Sequence, residues 1–393
     1  MPLRGKRMPR ILGAMIVNSK RPPRSAYIHV PFCHYRCGYC DFAIITGRDD
    51  LIGPFLTALA TELSWLGEAR PVDTLYFGGG TPSYLDASRL AELCDTVLRW
   101  HPLDAGHEWT VEANPESLTE DRVRVLAELG VTRLSLGMQS LDDAKLRVLE
   151  RLHRRDDVER SISLARAAGF SVSIDLIFAA PGETLDAWRR ELREALALEP
   201  DHISTYGLTW EAGTAFTRRR SAGELRSVDE ELERSMYAEA IDTLTAEGFE
   251  HYEVSNFARP GRRSRHNEVY WAGAEYYAAG PGAARYVGGV RETNHRSTTT
   301  YLKRVLAGQS PVADREQLDD EGRARELLVL GLRRLEGVER ERFAAVAGFQ
   351  LDELAGAAIA RFVELGLLSD DGSRVKLTRE GLFVSDALWP ELL

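Results

Sequence analysis

From residue 25 to about residue 255, short apolar runs alternate with amphipathic stretches, and no other feature of the chain restricts its fold as strongly. The runs "AYIHV", "TLYF", "EWTVEA", "RLSLG", "VSIDLIF" and "HISTYGL" predict strands. Between them lie "LIGPFLTALATELSWLG", "SRLAELCDTVLRW", "EDRVRVLAELG", "DVERSISLARAAG" and "LDAWRRELREALAL". Their apolar residues recur at three- and four-residue spacing, which predicts helices, and Gly closes three of them. Repeated strand–helix alternation points to parallel βα units, hence to an α/β sheet or barrel. Such folds carry their functional loops at the C-terminal strand ends. The unusual stretches fall there: "PFCHYRCGYC", "GGGTP", "NP", "MQS" and "APGET" follow the first five strands in turn.

The first of these loops holds Cys33, Cys37 and Cys40, three of the four cysteines in 393 residues. Thiols clustered in this way are metal ligands of a reducing, cytoplasmic setting rather than a disulfide framework. Three cysteines from one loop can hold three irons of a [4Fe–4S] cluster. Zinc is the alternative, completed by His29 or His34, because structural zinc sites are closed by four ligands. Cys94 shares a helical pattern with Leu90, Leu93, Val97 and Leu98 and reads as a buried core thiol.

The length implies two or three units. A formal net charge of −10 argues against binding nucleic acid, and no apolar run approaches the ~18–20 residues that cross a bilayer. The first 24 residues carry seven basic side chains and no acidic one, and are expected to be a disordered tail or the product of an early start codon. Contact of this tail with anionic lipid would be weak. Residues 256–312 are rich in aromatics, Gly and Arg; residues 313–393 read as three helices and a "DDG" hairpin, resembling a winged helix. Over residues 314–393, 11 Lys/Arg stand against 17 Asp/Glu, a net of −6, so this unit is not expected to bind DNA.

C-x3-C-x2-C preceded by "YIHVPF", with Tyr39 before the last cysteine and "GGGTP" after the next strand, resembles the radical S-adenosylmethionine (SAM) superfamily. That resemblance implies a partial (β/α)6 TIM-like barrel over residues 25–255 and a [4Fe–4S] cluster on the three cysteines. It also implies SAM on the open iron, cleaved there to a 5′-deoxyadenosyl radical. The segments "VEANPESL", "LGMQSL", "IDLIFAAPGET", "YEVSNFARPG", "SRHNEVYW" and "AAGPGA" narrow it to the branch resembling oxygen-independent coproporphyrinogen III oxidase. Carried over at matching positions, Tyr27, Tyr39, Gly79, Gly80, Thr81, Glu112, Gln139, Arg151 and Asp175 would contact SAM.

Within this branch the chain resembles the haem-chaperone (HemW-type) group more than the oxidases of porphyrin metabolism. The oxidases carry a further cysteine two positions after the third, where this chain has Phe42, and a longer N-terminal region. "HNEVYW" matches the H-N-x-x-Y-W motif of the chaperone group, which implies haem contacts by His266, Asn267, Tyr270 and Trp271. Arg262, Arg263 and Arg265 could pair with haem propionates or form a solvated loop. The resemblance thus implies haem as cargo, respiratory haemoproteins as recipients and no coproporphyrinogen dehydrogenase activity; a homodimer is a further expectation.

Overall fold

The computed structural model describes residues 22–393; residues 1–21, most of the expected basic tail, lie outside the described residues. Six parallel strands form the centre: β1 (Ser25–Val30), β2 (Val72–Gly79), β3 (Leu103–Ala113), β4 (Arg133–Gln139), β5 (Ser171–Phe178) and β6 (His202–Gly207). They neighbour one another in sequence order and coincide with the six strands read from the sequence. The expected helices also form, at Ile52–Ser64, Ala87–Trp100, Glu120–Glu128, Arg155–Ala167 and Leu185–Ala197.

Strand periodicity of two divides the side chains between two environments. Ile28, Phe77, Val111, Leu134, Ile174 and Ile203 are fully buried in the core that also takes up the helices' apolar faces. Phe77 meets Trp109 edge to face at 5.2 Å, and burial of each such large side chain is worth roughly 1.5–3 kcal/mol. Cys94 belongs to this core, fully buried. The alternate positions, Tyr27, Tyr76, Glu112, Ser135, Asp175 and Ser204, turn the other way. A polar interior explains why these parallel strands are not the continuous apolar runs of a sheet buried on both faces.

The sheet does not stop at residue 255. Asn256–Ala258 pairs antiparallel with β6 and with Glu250–Glu253, while Tyr277–Ala279 pairs parallel with β1 at the opposite edge. The expected boundary at 255/256 therefore falls inside a hairpin, because the chain crosses from one edge of the barrel sheet to the other before leaving it. Helices Asp320–Arg333, Arg340–Ala347 and Leu351–Glu364 follow, with a three-stranded sheet of Val338–Glu339, Arg374–Leu377 and Leu368–Asp370. Its hairpin turns at Asp371-Gly372, Gly372 having φ +85°, as "DDG" predicts. Among the described residues no helix is long and apolar enough to cross a membrane.

Candidate functional site

The loops at the C-terminal ends of the strands enclose a cavity of about 740 Å³. Cys33, Cys37 and Cys40 all line it, on a loop laced by its own arginine: Arg36 donates to the carbonyls of Cys40, Phe42 and Ile44 at 3.3, 3.2 and 2.6 Å. Gly38 is required because a Cβ there would collide with the Phe216 ring, whose backbone N–H donates to the Gly38 carbonyl at 2.9 Å. Tyr39 turns its ring edge-on to the same Phe216 and also lines the cavity.

The thiols suit a polynuclear metal group. Burial pushes the Cys33 thiol up to about 12 and raises Cys40, so ionised sulfur there calls for a cationic partner. Among the described residues no three His, Cys, Asp or Glu side chains converge tightly enough for a single ion, whereas three thiols facing one cavity match corners of a cluster. The zinc alternative loses its fourth ligand. Both nitrogens of His29 are engaged, by the Tyr27 hydroxyl at 3.1 Å and the Ala43 carbonyl at 2.9 Å, and His34 is exposed beside Tyr84.

Around the thiols the other loops supply polar groups. The N–H groups of Gly79, Gly80 and Thr81 are spent on Glu112, Val30 and Phe32, so the loop offers a ligand no backbone donor at these three positions. Gly79 has φ +98° and would collide with His29 if it carried a Cβ; at Gly80 a Cβ would lie 2.6 Å from the Val30 carbonyl oxygen. Glu112 accepts from the Tyr76 hydroxyl at 2.8 Å and from Gly79 N–H at 3.0 Å, and burial raises its pKa to about 7. Burial likewise raises Asp175 to about 6. Arg151 is no surface charge. Its guanidinium reaches Asn114 Oδ1 and the Gly137 carbonyl at 2.7 Å and the Cys37 sulfur at 3.5 Å, leaving Nε buried without a partner. Gln139 ends β4 with φ +61° and faces the cavity; Glu150 and Ala179, beside Arg151 and Phe178, also have positive φ. Backbone strain of this kind concentrates at functional sites.

Eight of the nine expected SAM residues therefore line one cavity; Tyr27 stands beneath it, supporting His29 under the Gly loop. Asn114 was missed although "ANP" follows the third strand: it bridges the Thr81 hydroxyl at 2.9 Å to Arg151. Sequence reading also missed Arg333 and residues 382–387, which close the cavity from the C-terminal unit.

His266, Asn267, Tyr270 and Trp271 share one short helix, Arg265–Trp271, and none of them lines the cavity. His266 is 1 % exposed; its Nδ1 meets the Thr74 hydroxyl at 2.9 Å and its Nε2 the Tyr270 hydroxyl at 2.8 Å. The motif implied to contact haem thus lies apart from the cysteines: Thr74 and Glu108, which hold this helix, each stand five residues before the C-terminal end of their strand. The three arginines have partners within the fold. Arg263 pairs with Glu250 and Glu336, Arg262 with Asp201, and Arg265 donates to the Gly106 carbonyl.

Comparison with known proteins agrees with this geometry. The radical SAM superfamily model matches residues 27–195, and the HemN C-terminal domain model matches residues 318–384. The haem chaperone HemW of Bacillus subtilis is 35% identical over 375 residues, covering 94% of this chain and 99% of that one. HemW of Mycobacterium tuberculosis is 39% identical over 379 residues, covering 94% and 95%. The solved coproporphyrinogen III oxidase (HemN) of Escherichia coli superposes with a TM-score of 0.83 at 21% identity, over 94% of this chain and 90% of that one, and so shares the fold. With identity running along nearly the whole length of its relatives, the chain belongs to the radical SAM superfamily, in the HemW-type haem-chaperone group of its coproporphyrinogen III oxidase-like branch.

Proposed function

We propose that this protein is a cytoplasmic haem chaperone that holds a [4Fe–4S] cluster, SAM and haem and delivers haem to respiratory haemoproteins. The observation that carries the reading is Phe42. At the place where the resembling oxidases have a further cysteine, a phenyl ring lines the cavity and is 58% exposed. An apolar ring at the rim suits a flat apolar cargo and cannot act as a thiol. The relatives called haem chaperones, matched along nearly their full length, support the same reading.

Cys33, Cys37 and Cys40 would hold the cluster, which supplies an electron to the sulfonium of SAM. Ionised Glu112 would counter the methionyl ammonium, the free Arg151 Nε would meet its carboxylate, and Asp175 would take the ribose hydroxyls. Homodimerisation and weak contact of the basic residues 1–24 with anionic lipid belong to the same proposal and are checked by sedimentation and vesicle flotation.

The test is made on anaerobically reconstituted protein. Haem should bind and pass to an apo-haemoprotein, and coproporphyrinogen III with SAM and a reductant should yield no protoporphyrinogen. Efficient conversion would replace this reading by the oxidase. Cys37→Ala should lose the brown colour and the iron.

A further inference from the structure

The cavity is longer than the SAM residues account for. Beyond Asp175 and Tyr206 it continues past Tyr237 and Ser255 to the segment Leu382–Ala387, a wall of the C-terminal unit. The lining there sets Leu382, Phe383 and Val384, the last 43% exposed, beside Ser255, Ser385 and the carboxylates of Glu233 and Asp386; Tyr206, also 43% exposed, faces the same space. A cavity of about 740 Å³ lies within the ~300–1,000 Å³ range of sites that enclose a small-molecule ligand.

One cation belongs to the lining of this outer half. Arg333, the last residue of helix Asp320–Arg333, lines the cavity, and its guanidinium carbon lies over the Trp271 ring, 4.7 Å from the centroid. Its Nε is buried without a hydrogen-bond partner. The nearest carboxylate in ion-pair range, Asp386 at 3.9 Å, belongs to a side chain that is 93% exposed, so water screens it. Glu253 lies near enough to feel the charge but makes no hydrogen bond to Arg333; its Oε1 takes Ser255 N–H and Asn256, and burial raises its pKa toward the neutral form. The outer half thus presents a patch of three apolar side chains and one under-partnered guanidinium on an aromatic base.

We propose that Arg333 anchors a propionate of a tetrapyrrole seated in this outer half of the cavity, with Trp271 holding the guanidinium in place. The inference deepens the haem reading and rests on it for the identity of the cargo. It also gives the last residue of "HNEVYW" a part at the cavity that its position outside the lining conceals: Trp271 acts through Arg333, as a positioning residue. Charged hydrogen bonds to carboxylate are worth enough that losing this one should weaken binding roughly tenfold.

The experiment titrates haem, haem dimethyl ester and coproporphyrin III into reconstituted wild type, Arg333→Gln and Arg333→Lys. Cluster content, SAM binding and unfolding midpoint are followed alongside. Arg333→Gln should bind haem roughly tenfold more weakly, Arg333→Lys should recover part of the loss, and the ester should bind wild type and Arg333→Gln equally. If haem binds with the same affinity in all three proteins, the anchor is overturned and the chaperone reading stands. If wild type ignores haem but binds coproporphyrin III in an Arg333-dependent way, the anchor stands and the chaperone reading falls. Binding of neither tetrapyrrole overturns both.

Discussion

The imidazole of His266 stacks on the phenol ring of Tyr76, 5.2 Å between centroids and 29° between planes, and the Tyr76 hydroxyl donates to Glu112 at 2.8 Å. A motif helix on the far side of the barrel is thereby connected, through one side chain, to the carboxylate assigned to SAM. His266→Ala should destabilise the protein by roughly 2–4 kcal/mol, since it removes a packed ring and two hydrogen bonds. It should also weaken SAM binding while leaving the visible spectrum of bound haem unchanged. Thermal unfolding and haem titration check this; an altered haem spectrum would identify His266 as a ligand.

Glu112 and Asp175 hold their protons to about pH 7 and about pH 6, above their ordinary values of 4.5 and 3.8. Between those limits the folded chain binds more protons than the unfolded one, so their contribution to stability is complete below about pH 4 and is lost as pH rises toward 7. At about 1.4 kcal/mol per pKa unit, the rise from 4.5 to about 7 means that the empty protein should lose on the order of 3–4 kcal/mol through Glu112 alone. Unfolding measured against pH should show this slope, flattened in Glu112→Gln. SAM, a cation, favours the ionised carboxylate, so its affinity should rise from pH 6 to pH 8.

Gly79→Ala should abolish measurable SAM binding. The methyl group would enter the His29 ring, and φ +98° is strained for any residue with a Cβ. Iron content should fall less than SAM affinity, because the cysteines sit on a different loop; equal loss of both would mean that the whole site had collapsed.

Lys145 lies buried between Glu183 and Glu191, 2.6 Å from each. Glu191 also takes the Ser140 hydroxyl and Leu141 N–H, and Glu183 takes Ala180 N–H at 3.0 Å. The trio therefore clamps the chain just after Gln139 and Ala179, the strained positions at the end of β4 and immediately past β5. Lys145→Ala should cost about 3–5 kcal/mol by leaving two buried carboxylates uncompensated. Denaturant unfolding gives that value, and SAM affinity should drop with it although Lys145 does not line the cavity.

Much of the barrel and site was legible because both follow local rules. Strands and helices announce themselves by period, and parallel βα order places the loops carrying Cys33, Gly79, Glu112 and Gln139 at one end. What escaped depends on which end of the barrel a late segment reaches. "HNEVYW" has residues suited to haem, yet Ser264 caps its helix and Glu108 binds His266 N–H, turning the motif beneath the strands. The cavity role of Arg333 escaped for the opposite reason: "LRRLEG" looks like an exposed helix end, and only tertiary packing over Trp271 turns it inward.

The cavity has a floor from the cysteine loop and a wall from residues 382–387, which the ribosome delivers long after the barrel strands. Domains fold in order of synthesis, so the barrel can form with its thiols still open to the medium. The mouth of the cavity is then completed only when the C-terminal unit folds onto a barrel that already presents Cys33, Cys37 and Cys40.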